Sequence, residues 1–157
     1  MYAVGGDIEQ QIEPQNWPQN FEGLPVTVFT ENKTIKLPGM CVTGLTLKSS
    51  INRELQVSEC DGFHIALGHR PDFALSDVRA DLLVAGHTHG GQVRLPFIGP
   101  VMKLSKVSRK WAAGVTELPG NRTLVVSRGI GMERGSAPRL RFLCRPELVF
   151  IEMLPAS

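Results

Sequence analysis

The sequence predicts an α/β protein rich in strands. Two apolar runs, Phe63-His64-Ile65-Ala66-Leu67 and Leu82-Leu83-Val84-Ala85, have the composition of buried strands, and each is followed by a glycine. Residues 72–80 between them read as a helix, capped by Asp72 and carrying Phe73, Leu75 and Val78 on an apolar side. From Val93 onward, short β-rich runs separated by Pro, Gly and Asn dominate.

Taken in order, Tyr2-Ala3-Val4 reads as the first strand. Residues 9–25, rich in Gln, Asn and Pro, read as a loop or irregular helix, with a helical turn over 9–13 ended by Pro14. The runs 26–29 and 33–36 flank Glu31-Asn32 and read as a hairpin. Residues 40–45 predict a further strand. Pro119-Gly120-Asn121 separates 112–116 from 123–127, a second hairpin signature. Residues 148–154 read as a final strand. No repeat or low-complexity tract interrupts the chain.

A length of 157 residues suits one domain with a substantial core. The 42% hydrophobic content and mean hydropathy of −0.03 describe a soluble globular chain. No apolar run approaches the roughly 20 residues of a membrane helix, and there is no signal-peptide pattern, so the expectation is cytoplasmic. Residues 1–60 carry seven acidic and four basic residues, a net of −3. Residues 61–157 carry eight and thirteen, a net of +5, giving the overall +2. That basic part suits an anionic substrate; the excess is too small, and too poor in aromatic motifs, for long nucleic acid. Cys41 and Cys144 sit among apolar residues and read as packed thiols, and the odd count of three gives no disulfide framework.

The chemistry lies at the ends of the two apolar runs. Gly68-His69-Arg70-Pro71-Asp72 follows the first, and Gly86-His87-Thr88-His89-Gly90-Gly91-Gln92 follows the second. Ligand sites in α/β proteins form at strand carboxyl ends, and glycines let two imidazoles turn toward one point. Three histidines delivered this way suit a borderline divalent metal. The alternative is a histidine cluster hydrogen-bonded to loop backbone. His64, inside its strand, reads as a core histidine satisfied by hydrogen bonds, with a ligand as the alternative.

These two blocks together resemble the calcineurin-like metallophosphoesterases, in particular a bacterial, membrane-associated branch that includes UDP-2,3-diacylglucosamine hydrolases. Val126-Ser127-Arg128-Gly129-Ile130-Gly131 and Arg145-Pro146-Glu147 are similar to that branch's C-terminal strands. The resemblance implies an αββα sandwich, of which this chain holds the C-terminal, β-rich part without the N-terminal strands, as a single partial domain over 1–157. The family's Asp-x-His and bridging Gly-Asp blocks have no counterpart. Its Gly-Asn-His-Asp/Glu block would fall at Gly6-Asp7-Ile8-Glu9, with Asp7 in place of a metal-binding asparagine and Ile8 in place of the proton-donating histidine. A truncated gene or misplaced start is the expected cause.

Carried over residue by residue, the resemblance gives His69 and His87 to one metal and His89 to another, with Asp7 as a further ligand. His87 and His89 are the expected catalytic residues. Without the bridging carboxylate, at most one Mn, Zn or Fe ion is expected, against two in the family. Arg70 would contact the phosphate of an anionic phosphoester, or make an ordinary loop salt bridge. Glu9 would support a neighbouring imidazole, and Gln92 would orient its loop. Hydrolysis of a phosphomonoester, phosphodiester or pyrophosphate is the implied reaction, and a non-catalytic metal-binding or partner-dependent remnant with no turnover is the alternative. The absent strands predict self-association or a second chain that supplies them. Lys103, Lys106, Arg109 and Lys110 beside Trp111 raise peripheral contact with anionic lipid, as do Arg134, Arg139, Arg141 and Arg145; a solvated surface is the plainer reading.

Overall fold

The computed structural model describes residues 1–12, 16–102, 105–132, 135 and 139–154, without the side chains of 10–12. Its centre is a mixed six-stranded sheet. The strands are β3 (Lys33–Leu37), β4 (Met40–Gly44), β5 (Phe63–Leu67), β6 (Leu82–Ala85), β9 (Gly114–Leu118) and β10 (Arg122–Val126). Their spatial order is β3-β4-β5-β6-β10-β9. The four central strands are parallel and the two edges antiparallel. Buried parallel strands read as continuous apolar runs, which is why β5 and β6 were legible. The α/β class and the strand-rich character are as the sequence predicted.

One face of the sheet carries the core, in which Leu45, Ala66, Phe73, Val78, Leu83, Leu124 and Val126 are buried, with Val57 and Trp111 packed against them. A smaller parallel pair, β1 (Tyr2–Val4) and β2 (Thr27–Phe29), lies against β4. The Phe29 ring fills the space over Gly44, where a Cβ would sit 2.0 Å from Cγ. Glycine at the end of β4 thus lets β1 and β2 approach, and β1 leads directly into α1 (Asp7–Ile12). The remaining elements are α2 (Leu47–Ser50) and the short hairpin of β7 (Arg94–Leu95) and β8 (Gly99–Pro100). No helix is long and apolar enough to cross a membrane among the described residues.

Several local expectations are corrected. The first hairpin is shifted by one strand: β3 pairs with β4 across Pro38-Gly39, and β2 pairs with β1 instead. Asn32, read as a turn residue, accepts from the Thr46 N–H at 2.9 Å and donates to Ser49 Oγ at 2.7 Å, so it anchors α2. The predicted helix over 72–80 is only a 3₁₀ turn, Pro71–Leu75. Its continuation is lost because the Arg122 guanidinium takes the carbonyls of Ser76 and Val78, at 2.8 and 3.3 Å, that a helix would use internally. Residues 148–154 form no strand; Leu148, Phe150 and Leu154 are exposed. Finally, Cys41 is bonded to Cys60. The β4–β5 register sets Cys41 opposite His64, bringing the chain just before β5 within reach, a proximity that sequence spacing hides. Cys144 is the free, buried thiol.

Candidate metal centre

Parallel pairing builds the site. Ala66 and Leu67 of β5 lie opposite Leu83 and Val84 of β6. The ladder continues beyond both strands, with the Gly68 N–H donating to the Val84 carbonyl and the Gly86 N–H to the His69 carbonyl, each at 3.0 Å. His69 and His87 therefore leave adjacent strand ends side by side, with ring centroids 5.0 Å apart. Asp7, at the end of the β1 excursion, completes the group: its Oδ2 lies 2.6 Å from His87 Nδ1 and 3.0 Å from His69 Nε2, and those two nitrogens are 3.1 Å apart. These are three ligand atoms of metal-binding type within one small volume.

The approach depends on Gly6. A Cβ there would fall 2.6 Å from His69 Cε1, so the chain can pass the ring only without a side chain. Glu9 accepts the Gly6 N–H at 3.0 Å and faces His69 with its charge. Burial pushes the His69 imidazole below its ordinary pKa. The neighbouring His87 adds to this, and the carboxylates of Asp7 and Glu9 oppose it only in part. A neutral imidazole, which has a free lone pair, is thereby favoured.

The loop after His87 is strained. His87, His89 and Gln92 hold φ of 66°, 47° and 57°, alongside Gly90 and Gly91 at 63° and 81°. Non-glycine residues in this region cost about 1–3 kcal/mol each, so the loop must be held from outside. Thr88 Oγ1 donates to the Ala112 carbonyl at 2.6 Å, and the Gln92 carbonyl accepts from the Phe142 N–H at 3.0 Å. Arg141 is the main tether: its guanidinium reaches the carbonyls of His89 (3.3 Å), Arg128 (2.8 Å), Gly129 (3.2 Å) and Gly131. Arg128 in turn donates to Glu147 through its backbone N–H and through Nε, each at 2.8 Å. Burial raises the Glu147 pKa, but these bonds outweigh it and hold the carboxyl below the usual range. Sequence reading grouped Arg141 with Arg139 and Arg145, since nothing in the spacing marks the one that turns inward.

His89 lies outside the Asp7–His69–His87 group, with its ring near Gly131. Arg70 is 3.8 Å from Asp72, and Asp72 also accepts from Ser105 Oγ (2.7 Å) and the Lys106 N–H (3.0 Å). His64 is buried, its Nε2 2.7 Å from Thr43 Oγ1, a core position away from the group. Ile8 is exposed at 58%. Trp111 is half-buried, packed in part against the core; Lys103 and Arg134 lie outside the described residues.

Three relatives put this geometry in context. The metallophosphoesterase YkuE of Bacillus subtilis is 42% identical over 88 residues, 55% of this chain and 29% of that protein. YkoQ of the same organism, also named a metallophosphoesterase, is 31% identical over 96% of this chain and 58% of its own length. The UDP-2,3-diacylglucosamine pyrophosphatase LpxG of Chlamydia trachomatis is 35% identical over 57% of this chain and 29% of that protein. The chain thus spans less than two thirds of each of these relatives. No family model and no solved structure matches it.

Proposed function

We propose, from the premise that the chain belongs to the calcineurin-like metallophosphoesterases, that it takes part in metal-dependent hydrolysis of a phosphoester. The observation that carries this is the convergence of Asp7, His69 and His87 within 4.8 Å of one another. One carboxylate and two imidazoles, one of them kept neutral by burial, are a donor set suited to Mn, Zn or Fe. A divalent cation held there would supply the Lewis acidity that phosphoester cleavage uses. Asp7 would contribute charge, His69 and His87 neutral nitrogens, and His89 a nitrogen toward a further position. Arg70, held beside Asp72, would meet an anionic oxygen of the substrate. Ile8 has no proton to give, and losing a general acid costs roughly 10²–10⁴ in rate, so good leaving groups are favoured.

The finer reading is a C-terminal, β-rich part of an αββα sandwich, one partial domain over 1–157, carrying at most one ion by itself. Further strands would come from another polypeptide segment or a second copy. The LpxG similarity supports a lipid-linked nucleotide diphosphate as one substrate class. The Cys41–Cys60 bond favours an oxidising compartment over the cytoplasmic location expected from composition. Exposed Ile8 favours one second reading, a protein that binds metal and turns nothing over.

Elemental analysis of the purified chain, paired with hydrolysis of bis(p-nitrophenyl) phosphate in added Mn²⁺, tests both. About one ion per chain is expected, with turnover, and His87→Ala should lower metal affinity by at least roughly a hundredfold, more than a supporting partner costs. Bound metal without turnover would select the non-catalytic reading. No metal at all would sink both.

A further inference from the structure

Of the three groups at the metal centre, Asp7 alone comes from outside the central sheet, so its position depends on the segment that carries it. His69 and His87 are fixed by the β5–β6 ladder. Asp7 instead opens α1, a helix of six residues, and its neighbour Ile8 is exposed. Gly5 and Gly6 lead into it, and both are buried. Each is pressed by a ring. A Cβ on Gly6 would run into His69, and a Cβ on Gly5 would lie 3.0 Å from Trp17 Cζ2 and 3.1 Å from Cε2. The backbone that delivers Asp7 thus passes an indole and then an imidazole at a distance that suits glycine. The bond from the Gly6 N–H to Glu9 lies within the same segment, so it shapes the turn without fixing it against the sheet.

Trp17 is only 9% exposed, yet it lies outside the apolar cluster on the sheet face. Its own position is well held. Phe21 meets it edge to face, with ring centroids 5.7 Å apart and planes at 89°. Both rings belong to the 3₁₀ turn Trp17–Phe21, which has Pro18 in its first turn. The Gln19 N–H donates to the Asn16 carbonyl at 2.9 Å and the Glu22 N–H to the Gln19 carbonyl at 3.1 Å. The chain then enters β2, which pairs with β1 and which Phe29 seats on Gly44 of β4. The indole therefore closes a circuit of β1, Gly5, the turn and β2, and that circuit is anchored to the sheet. A large rigid ring packed on glycine backbone is well suited to fix it in place.

We infer that Trp17 is a positioning residue: its indole holds Gly5 and so sets the Asp7 carboxylate against His69 and His87. The inference rests on reading those three groups as metal ligands, and it adds a residue that acts through one of them. Ligand groups have to be held within about 0.5 Å of their productive geometry, which is what a packed support of this kind provides.

Zn²⁺ titration of the full chain against a chromophoric chelator, in a double-mutant cycle, tests it. Trp17→Leu should weaken binding roughly tenfold or more, the range for losing a supporting partner, and Trp17→Phe should weaken it less. In an Asp7→Asn background, Trp17→Leu should change affinity by no more than about twofold, since the group it acts through is gone. Unchanged affinity in Trp17→Leu, or the same loss in both backgrounds, would overturn the proposal. Backbone amide spectra of the metal-free protein supply the second readout. The Gly6 and Asp7 signals should move in Trp17→Leu while those of His69 and His87 stay; Trp17→Phe decides the point if the Leu variant does not fold. Signals of Gly6 and Asp7 that do not move would equally overturn it. A wild-type chain that binds no Zn²⁺ would sink the metal reading, and the amide signals would still decide whether Trp17 sets Asp7.

Discussion

The two ends of the central sheet are held by different means. At the amino ends of the parallel strands, a covalent bond joins Cys41 of β4 to Cys60, and Arg122 binds the carbonyls of Ser76, Val78 and Pro119. At the carboxyl ends, Asp7, His69 and His87 meet beside a loop with three non-glycine residues in left-handed backbone, tethered by Arg141 from fifty residues away in sequence. One end is locked so that it can support strain at the other. Strain of this kind persists only where the surroundings over-determine it.

Reducing the disulfide should have the largest effect on stability and the smallest on the site. The bond closes a loop of 19 residues, for which the chain-entropy account gives about 3 kcal/mol. Denaturant unfolding with and without reductant should show that loss, with the metal affinity of the still-folded protein unchanged. A thiol count on the denatured, non-reduced chain should find one reactive cysteine of three. Three free thiols would remove the covalent lock, and a matching fall in metal affinity would mean that the two ends are coupled.

Arg141 probes the opposite end. Arg141→Lys keeps the charge but cannot span four carbonyls, so the His87–Gln92 loop should loosen. A roughly 10- to 100-fold loss of metal affinity is expected, the range for removing a supporting partner, with only a modest drop in unfolding midpoint. If both Lys and Ala variants lose stability and leave metal binding intact, Arg141 holds the C-terminal segment and does not position the loop.

This division also explains what could be read in advance. His69 and His87 were legible because a ladder between two apolar strands places them, and both strands announce themselves by composition. Asp7 was reached through resemblance, since nothing local shows that Gly44 lets β1 approach β5's neighbour. The Cys41–Cys60 bond depends on strand register, and the failure of 72–80 to form a helix depends on Arg122, which lies about fifty residues downstream. Arg141 is the same case: its partners are backbone carbonyls, which leave no residue-type signal. Features announced by local composition, such as the two apolar strands and the histidines at their ends, were visible, whereas those fixed by strand register or by long-range side chain to backbone bonds were not.

The smallest effect separates two imidazoles, His64, which is buried, and His69, which is half-buried. Burial is the leading cause that lowers the pKa of both His64 and His69 from 6.5. A depressed folded value means that, below about pH 6.5, the unfolded chain takes up protons that the folded chain refuses. Stability of the metal-free protein should therefore be flat above that pH and fall as pH drops toward the folded values, by at most about 1.4 kcal/mol per pH unit for each histidine. The two differ in what relieves this. His64 is enclosed by Thr43, the Arg79 backbone and Asp81, away from the ligand group, so added Zn²⁺ or Mn²⁺ cannot alter its share. His69 faces Asp7 and His87, so metal should compete with its proton and extend the flat region to lower pH. Replacing His64 with Gln should remove the metal-insensitive part of the acid-side loss and leave the metal-sensitive part. If metal suppresses the whole pH dependence, or none of it, then His69 is not a ligand, or His64 is not a purely structural histidine, and the separation of core from site fails at these two residues.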